Sequence, residues 1–342
     1  MKRLLVTGGC GFIGSAFIKK YFDIHNEAFI LNVDSLTYAG ELSNTIDFSA
    51  LSNYKFIQGD IQNYSLIKHL LNEYKIDHLV NFAAESHVCR SIENPEIFLQ
   101  SNINGTLQLL KACYESWMTS PNNYKQGCQD NRFLQVSTDE VYGTLDLDLQ
   151  EESFKETSHY RPNSPYSASK AGAELFVRSF QKTYGLNVLT TSCSNNYGER
   201  QNTEKLIPHV ITQCLMNKTI SIHGEGKNIR DWLYVDDHCE AIMSVLVSKA
   251  PSGSKYCIGG DDERDNMQVV KAICNRMDVI HPMANNKSYH SLVTFVKDRP
   301  GNDLRYSVDI GKIKKDLNWS PRTTFEVGLD RVIKWYINNF KK

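Results

Sequence analysis

The stretch RLLVTGGCGFIGS, from Arg3 to Ser15, joins a short apolar run to a helical pattern through three evenly spaced glycines. Leucine and valine before the glycines predict a buried strand, and the apolar spacing after them predicts a helix. At such a junction Gly8, Gly11 and Gly14 permit a tight turn, a close approach of the backbone to a pyrophosphate, and close packing of helix on strand. Three glycines at a strand–helix turn can also be purely structural, so the neighbouring residues decide the interpretation.

The residues after this turn and after the next two strand-like runs match a dinucleotide site. The amides of Phe12 and Ile13 would face phosphates at the start of the helix. The run LNVD ends at Asp34, about 20 residues after the last glycine, where a carboxylate takes the ribose hydroxyls. A carboxylate there repels a 2′-phosphate and so favours NAD over NADP; the alternative is an aspartate that only caps a turn. Asp60 and Ile61, after the third run, are placed to contact the adenine.

The first half of the chain alternates strand-like and helix-like segments. Such alternation is typical of a parallel sheet covered on both faces, because each parallel crossover needs a helix. We therefore predict an α/β fold, a Rossmann-type doubly wound parallel sheet with a smaller C-terminal substrate-binding lobe. Residues 1–194 would form the NAD-binding domain and carry the catalytic residues. Residues 195–342 would mainly form the second lobe, with about 230–260 returning to the first domain. Long helices are predicted from about Pro95 to Glu115 and from Tyr166 to Tyr184.

Composition and charge limit the classes of function. The 342 residues include 38 Lys plus Arg and 39 Asp plus Glu, a formal net charge of −1, which favours neither a nucleic-acid surface nor an anionic membrane surface. The N-terminal apolar run is too short for a signal peptide and no run approaches a membrane span, so we expect a cytoplasmic protein without a membrane partner. The nine cysteines are scattered without a C-x-x-C pair, and no H-E-x-x-H occurs, so we expect reduced thiols and no metal.

Two further motifs could carry proton transfer. PYSASK places Tyr166 and Lys170 four residues apart at the start of a helix, so both project from one face. An ammonium beside a phenol would lower the pKa of the phenol and give a general base, although a Tyr–Lys pair at this spacing is also a common surface feature. In STDEVYG, Asp139 and Glu140 stand side by side after a strand-like run. Adjacent carboxylates of this kind are either a solvated turn or a pair of proton carriers.

Motifs in chain order carry a resemblance to a known family: TGGCGFIGS, VDSLTYAGEL, FAAESHV, STDEVYG, SPYSASK, SNNYG, EKLIP, IRDWLYVDDH and DRPGND. Together they resemble the extended short-chain dehydrogenases/reductases, and specifically the dTDP-glucose 4,6-dehydratases, over nearly the whole chain. The resemblance implies an NAD-dependent hydro-lyase that converts dTDP-glucose to dTDP-4-keto-6-deoxyglucose. Its steps would be C4 oxidation, elimination of water across C5 and C6, and hydride return to C6. The Thr-Asp-Glu triplet is the most specific motif, because a 4-epimerase needs no further proton carriers.

The resemblance also implies roles for individual residues. Tyr166, helped by Thr138 and Lys170, would take the C4 hydroxyl proton. Asp139 would act as acid and Glu140 as base, and like-charge proximity would help to keep one carboxyl protonated. The cofactor contacts that it implies, beyond those already named, are Ser35, Leu36, Thr37, Ala83, Ala84, Ser86, Ser101, Tyr166, Lys170 and Asn196. The nucleotide-sugar contacts that it implies are Ser86, His87, Thr138, Asn195, Lys205, Leu206, Ser221, His223, Arg230, Asn266, Arg299 and Asn302.

The resemblance further implies a homodimer in which the two predicted long helices pair into a bundle. Apolar residues on these helices, Leu107, Leu110, Leu175 and Phe176, could equally face the chain's own sheet. The homodimer and an internal packing role therefore both remain open at this point.

Several positions depart from the family pattern. The family has an aromatic, proline-containing stretch where this chain has ERQNT, Glu199 to Thr203. Cys89 stands where Asp is usual, Cys257 where Asn is usual, and Asn302 where His is usual. These changes spare the catalytic motifs but affect substrate loops, so we predict weaker discrimination among pyrimidine nucleotides. The open alternatives are the same dehydration of another nucleotide sugar such as UDP-glucose, a nucleotide-sugar 4-epimerase or decarboxylase, and a non-catalytic NAD-binding protein.

Overall fold

The computed structural model of the protein describes residues 2–148, 152–298 and 301–340. Its strands in chain order are β1 (Arg3–Thr7), β2 (Phe29–Asp34), β3 (Tyr54–Gln58), β4 (His78–Asn81), β5 (Met118–Ser120), β6 (Asn123–Tyr124), β7 (Arg132–Thr138), β8 (Val188–Cys193), β9 (Asn195–Tyr197), β10 (Ile220–His223), β11 (Ile229–Tyr234), β12 (Lys255–Ile258), β13 (Glu263–Asp265) and β14 (Val293–Val296). Its helices are α1 (Phe12–Ile24), α2 (Tyr64–Glu73), α3 (Val88–Glu93), α4 (Pro95–Phe98), α5 (Gly105–Trp117), α6 (Pro165–Tyr184), α7 (Leu206–Met216), α8 (Val235–Val247), α9 (Asn266–Ile280), α10 (Gly311–Leu317) and α11 (Phe325–Asn339).

The central sheet is parallel and has, within the described residues, seven strands in the order β12-β8-β7-β4-β1-β2-β3. Every residue of β4 and of β8 is buried, as expected for strands that are covered on both faces. The strand order reverses between β1 and β4, and the crevice at the carboxyl ends of such strands is where doubly wound folds bind ligands. The predicted doubly wound parallel sheet is therefore confirmed.

Helices cover both faces of this sheet. On one face α2, α5 and α6 pack around a core that includes Leu70, Leu109 and Phe180. On the other face α1 and α8 pack around a core that includes Phe17 and Ile242. The two layers bury the apolar runs from which the strands were predicted, and they hold the strand ends at fixed positions.

A further hydrophobic core lies outside the central sheet. There α7, α9 and α11 pack around residues such as Ile211, Ile273 and Val332. Two small sheets, β13-β11-β9 and β10-β14, belong to the same half of the chain. The chain returns to the central sheet at β12, where Tyr256 lies opposite Thr191 of β8, while the domain boundary near residue 194 stays a prediction. None of the helices in the described ranges has both the length and the apolar character needed to cross a bilayer.

The long helix predicted from about Pro95 to Glu115 is present as a helical segment from Pro95 to Trp117. It is interrupted by a π-helical turn, Leu99–Asn104, that separates α4 from α5. Inside this turn the Asn102 side chain donates to Ser169 Oγ at 2.8 Å and to the carbonyl oxygen of Glu85 at 3.0 Å, and it accepts from the Glu85 amide at 2.9 Å. These buried contacts with two other segments favour the extra residue in the turn, and single-turn π-bulges are frequent at functional sites.

Candidate active site

A cavity of about 360 Å³ opens at the carboxyl ends of the central strands. It brings together most of the residues that the sequence predicted for the cofactor and for catalysis. The predicted residues that line it are Gly8, Gly11, Phe12, Ile13, Gly14, Asp34, Ser35, Thr37, Asp60, Ile61, Ala83, Ala84, Ser86, Ser101, Thr138, Asp139, Glu140, Tyr166, Lys170, Asn195, Asn196 and Lys205. Among the described residues, the predicted ones outside its lining are Leu36, His87, Leu206, Ser221, His223, Arg230, Asn266 and Asn302.

The glycine-rich turn between β1 and α1 forms a cradle that side chains would fill. Gly8 has a φ of +71°, and a Cβ added there would lie 2.6 Å from the Ala83 nitrogen. A Cβ on Gly14 would lie 2.2 Å from the carbonyl oxygen of Gly8. Gly11 is the N-cap of α1 and supplies no side-chain acceptor. The first backbone amides of α1 have no acceptor within the helix, and this end of the helix lies at the cavity. This geometry fits the pyrophosphate of a dinucleotide.

Asp34 caps the turn after β2 and also lines the cavity. Its Oδ1 accepts from the Leu36 amide at 2.8 Å and its Oδ2 accepts from the Cys10 amide at 2.9 Å, so the side chain does cap turns. It also lines the cavity. Because a carboxylate oxygen has two lone pairs, each oxygen can still accept from a ribose hydroxyl. Leu36, with a φ of +55°, belongs to this turn rather than to the cavity wall.

The catalytic tyrosine and lysine candidates lie at the start of α6. Ser164 caps this helix in a reciprocal capping box with Ser167, which fixes where the first turn begins. Tyr166 and Lys170 are both buried, and the Lys170 Nζ donates to the carbonyl oxygen of Val136 at 2.8 Å. The helix thus presents both side chains to the cavity, as the four-residue spacing predicted.

The expected lowering of the phenol pKa is wrong for this structure. Burial raises the pKa of Tyr166 well above its usual value, and the Glu140 carboxylate raises it further. Burial also lowers the pKa of Lys170 to about 8, against the opposing effect of the Glu174 carboxylate. The Lys170 ammonium is directed to a backbone carbonyl, so desolvation outweighs its attraction for a phenolate.

The two adjacent carboxyl groups are not a solvated turn. A 3-10 turn, Asp139–Tyr142, follows β7 directly, and the Thr138 hydroxyl accepts from the Glu140 amide at 3.3 Å. Asp139 is only 1% exposed, and its Oδ2 has no hydrogen-bond partner among the described residues. Burial, followed by the Glu140 and Asp231 carboxylates, raises the pKa of Asp139 well above its usual value. Desolvation is therefore the larger cause of the raised Asp139 pKa, and like-charge proximity adds to it.

The residues predicted to hold the nucleotide form a second cluster beside the cavity. Arg230 on β11 donates to Asn302 Oδ1 at 3.4 Å and to the carbonyl oxygen of Asp303 at 2.9 Å, and its guanidinium lies 4.3 Å from the ring centre of Tyr306. The Arg230 charge lowers the pKa of Asp139, so this cluster adjoins the buried carboxyl group. Of the other predicted nucleotide contacts outside the cavity lining, Ser221 and His223 lie on β10 and Asn266 is the first residue of α9. Arg299 lies outside the described residues.

The sequence analysis missed several residues of the cavity wall. Glu85, Ser137, Cys193, Gln201, Asn202 and Glu204 also line it. Each follows or lies within a motif that was already quoted, so adjacency to the strand ends could have indicated them. Lys205 donates to the carbonyl oxygen of Ser86 at 3.1 Å, and Glu204 Oε2 lies 3.4 Å from Nε2 of His87. These contacts link the EKLIP motif to the loop after β4.

The unusual segment Glu199–Thr203 lies over the cofactor side of the cavity. Arg200 Nη2 and Asp47 Oδ2 are 2.5 Å apart, which joins this segment to the chain that follows β2. Gln201 Nε2 donates to the carbonyl oxygen of Asn196 at 2.8 Å. The Tyr234 hydroxyl donates to the Glu199 carboxylate at 2.9 Å. The predicted weaker discrimination among pyrimidine nucleotides, based on this segment and on Asn302, stays a prediction.

The chain is similar over nearly its whole length to known proteins. Residues 5–332 match the model of a family described as GDP-mannose 4,6 dehydratase. A dTDP-glucose 4,6-dehydratase of Xanthomonas campestris pv. campestris is 47% identical over 99% of this chain and 94% of its own length. A dTDP-glucose 4,6-dehydratase of Haemophilus influenzae is 46% identical over 99% of each chain.

A solved structure adds a match in three dimensions. The dTDP-glucose 4,6-dehydratase of Streptomyces venezuelae, crystallised with NAD and TDP, superposes with a TM-score of 0.87. It is 40% identical, and the match covers 98% of this chain and 97% of that one. The sequence match is nearly complete in both directions, and the fold agrees with it. The chain therefore belongs to the nucleotide-sugar 4,6-dehydratase family, among the relatives named dTDP-glucose 4,6-dehydratases.

Proposed function

We propose that the protein catalyses the NAD-dependent conversion of dTDP-glucose to dTDP-4-keto-6-deoxyglucose and water. The observation that carries this proposal is the carboxyl pair. Asp139 is buried, and burial and the Glu140 carboxylate raise its pKa and so favour its protonated form; Glu140 lies next to it on the same cavity wall as Tyr166. An acid and a base side by side are what an elimination of water needs.

The dinucleotide would lie between the glycine-rich turn and Asp34, with its phosphates at the start of α1. NAD, when bound, supplies a hydride acceptor for C4 of the sugar and returns the hydride to C6. The cradle at Gly8 and Gly14 and the carboxylate of Asp34 support this placement. Since the same cofactor molecule is restored in each turnover, a cavity that retains it suits the reaction.

Tyr166 would accept the proton of the C4 hydroxyl group. Its phenol is protonated at neutral pH because burial and Glu140 raise its pKa, so it needs positive charge nearby to act as a base. Lys170, one helical turn along α6, can provide such charge, and the Thr138 hydroxyl can share the proton through hydrogen bonds. The ammonium of Lys170 could also hold ribose hydroxyls of the cofactor.

Glu140 and Asp139 would then divide the elimination between them. A ketone at C4 makes the C5 hydrogen acidic, and Glu140 takes it as a proton. Asp139 gives its proton to the C6 hydroxyl, which leaves as water while the C5–C6 double bond forms. Later the proton returns to C5 as C6 accepts hydride, so atoms and charge balance over the cycle.

The alternatives are less well supported. A 4-epimerase only oxidises and reduces C4, so a buried protonated Asp139 would have no role in it. A non-catalytic NAD-binding protein would have no use for the pair either. The same dehydration of UDP-glucose remains the second candidate, because Asn302 stands in the nucleotide cluster where the family has His. The relatives named above favour dTDP-glucose.

Incubation of the protein with dTDP-glucose, UDP-glucose and GDP-mannose in parallel tests the proposal. We expect the dTDP sugar to give a 4-keto-6-deoxy product that absorbs ultraviolet light in alkali and shows a C6 methyl signal in proton NMR. Recovery of a 4-epimer, or of unchanged sugar from an NAD-loaded protein, would contradict it. Ser137→Ala serves as a control variant. Ser137 also lies on the cavity wall, but it has no role in the proposed proton transfers.

We further propose that the protein is a homodimer formed through α6 and the segment containing α4 and α5. Leu175 and Phe176 on α6 are 53% and 37% exposed, and Ile97 and Leu99 on the adjoining segment are 47% and 52% exposed. Leu110, in contrast, is buried in the chain's own core. Apolar side chains exposed together on neighbouring helices favour a protein partner. Light scattering should give twice the chain mass, and Leu175→Lys should reduce it; a monomer at micromolar concentration would remove this proposal.

A further inference from the structure

A buried ion pair lies behind the active site, and the proposed chemistry does not use it directly. Glu174 Oε2 and Lys255 Nζ are 2.6 Å apart, and the two side chains are 2% and 13% exposed. The Tyr160 hydroxyl donates to the same Glu174 oxygen at 2.6 Å, and the Ser192 hydroxyl donates to the other oxygen at 3.3 Å. Burying two charges costs free energy even when they are paired, so the pair calls for an explanation.

Aromatic rings complete the surroundings of the lysine. Lys255 Nζ lies 4.4 Å from the ring centre of Tyr142 and 4.7 Å from that of Tyr160. These cation–π contacts stabilise the Lys255 ammonium, which is largely desolvated. The pair therefore joins β12, which carries Lys255, to α6, which carries Glu174, and to the 3-10 turn that begins with Asp139. The pair therefore holds its two charges at fixed buried positions, unlike an ion pair on the surface.

The position of Glu174 relates it to the active site. It lies four residues after Lys170 on α6, so the two side chains share one face of the helix. Both are buried, and the Lys170 Nζ has a backbone carbonyl as its hydrogen-bond acceptor. The Glu174 charge stabilises the Lys170 ammonium, and the Cys193 thiol is the other titratable group that acts on it in this direction. Cys193 stays protonated, because burial raises the pKa of its thiol to about 12.

We propose that Glu174 is a positioning residue for the reaction: its carboxylate keeps the Lys170 side chain charged, and Lys255 sets how strongly it does so. This inference rests on the proposed function, in which a charged Lys170 assists Tyr166 and holds the cofactor. The Tyr160 and Ser192 hydroxyls donate to the two oxygens of Glu174 at 2.6 and 3.3 Å, so the carboxylate stays ionised when the Lys255 cation is removed. Other charged groups that act on the cluster are Arg178, near Tyr160, and Glu156, near Cys257.

The two members of the pair should have opposite effects when removed. Glu174→Gln removes the anion and leaves the Lys255 cation, so the Lys170 ammonium is destabilised. Lys255→Met removes the cation and leaves the Glu174 anion less neutralised, so the Lys170 ammonium is stabilised. The alkaline limb of the pH–rate profile should therefore move to lower pH in the first variant and to higher pH in the second, each by about one pH unit. A purely structural role would impair both variants without this difference in sign.

The test compares product formation from dTDP-glucose between pH 6 and pH 10, at roughly unit steps, for the wild-type protein and both variants. The same series measures the affinity for NADH by fluorescence titration, which does not depend on turnover. Glu174→Asp keeps the negative charge. In this variant we expect two midpoints near the wild-type values: that of the alkaline limb of the pH–rate profile and that of the pH dependence of NADH affinity. The double variant Glu174→Gln/Lys255→Met removes both buried charges and should lie between the single variants, and it provides the comparison if a single variant folds poorly.

Midpoints that move in the same direction in both single variants, or a double variant identical to Glu174→Gln, would overturn the inference. So would NADH midpoints that stay fixed while activity falls. A wild-type protein that makes no 4-keto-6-deoxy sugar would instead contradict the proposed function, and the NADH series would still test the link between Glu174 and Lys170. The two failures are therefore distinguishable.

Discussion

Replacement of Asp139 by asparagine should make the protein more stable and much less active. The side chain is 1% exposed, and burial, then the Glu140 and Asp231 carboxylates, raise its pKa and favour the protonated form. Asparagine has nearly the same shape and keeps an oxygen that can accept from Thr138, as Oδ1 of Asp139 does at 3.3 Å. It cannot give a proton to the C6 hydroxyl group. Loss of a general acid typically slows a reaction by ~100- to 10,000-fold, which is about 3 to 5 kcal/mol of activation free energy.

The stability change follows from proton linkage. The pKa of Asp139 in the folded protein is raised above its ordinary value of 3.8, so above that pH the folded state binds more protons than the unfolded state. Stability of the wild-type protein therefore falls as pH rises through this window, by up to about 1.4 kcal/mol per pH unit. Asparagine does not titrate in this range, so its contribution to the unfolding free energy does not change with pH. The variant should therefore become more stable relative to the wild type as pH rises, by up to about 1.4 kcal/mol per pH unit.

Urea unfolding at fixed protein concentration, at several pH values between 5 and 8 in roughly unit steps, measures the slope. Initial rates with dTDP-glucose and hydrogen exchange at C5 measure the chemistry, and C5 exchange should be comparatively intact because Glu140 remains. An Asp139→Asn protein that is less stable than the wild type at every pH, or that keeps its rate within about tenfold, would refute a buried, protonated catalytic acid.

Four further outcomes are expected. Glu140→Gln should still reduce bound NAD with substrate but exchange the C5 hydrogen with deuterated water ~100- to 10,000-fold more slowly, as NMR of recovered sugar would show. Asp34→Ala should lose NAD(H) during gel filtration and accept NADP more readily, because the substitution removes the carboxylate that would bind the ribose hydroxyls of NAD and repel the 2′-phosphate of NADP. Arg200→Ala should speed NADH release by roughly 2- to 5-fold in stopped-flow fluorescence, because the contact with Asp47 joins the two sides of the cofactor cavity and a partly exposed ion pair is weak. The wild-type protein should prefer dTDP-glucose to UDP-glucose by less than roughly a thousandfold, about 4 kcal/mol, and Asn302→His should increase this preference in competition assays.

Each of these outcomes has a result that would count against it. Normal C5 exchange in Glu140→Gln would reduce the adjacent carboxyl groups to a structural turn. NADP bound tightly to the unmodified protein would remove the assigned role of Asp34. Lys19→Ala breaks an exposed pair on the outer side of α1, so equal NADH release rates for it and for Arg200→Ala would show that the cavity contact has no special effect. A stronger preference for dTDP-glucose in the unmodified protein would show that residues other than Asn302 select the base.

The regular elements were predictable because their signals are local. The strand before Gly8 and the helix after it follow from apolar spacing and from three glycines, and a Cβ at Gly14 would in fact meet the preceding turn. The site residues at the strand ends were predictable for the same reason, since the carboxyl ends of parallel strands converge in this fold. The resemblance then supplied the roles that spacing alone could not.

The features that were missed depend on contacts between distant segments. The π-helical turn at Leu99–Asn104 is coupled to the contacts of Asn102 with Glu85 and Ser169, which no local pattern encodes. The direction of the Tyr166 pKa depends on how deeply the ring is buried, and spacing along a helix cannot give that. The placement of Glu199–Thr203 over the cofactor cavity likewise depends on Asp47, which is far away in sequence.

The central claim is that one retained cofactor molecule carries hydrogen from C4 to C6 of the same sugar while Glu140 and Asp139 remove water between those steps. The direct measurement uses dTDP-glucose carrying deuterium at C4, in ordinary water, with mass spectrometry and NMR of the product. The account predicts that the deuterium reappears in the C6 methyl group and that none of it is exchanged with the solvent. Deuterium lost to water, or retained at C4 in an epimerised sugar, would contradict it.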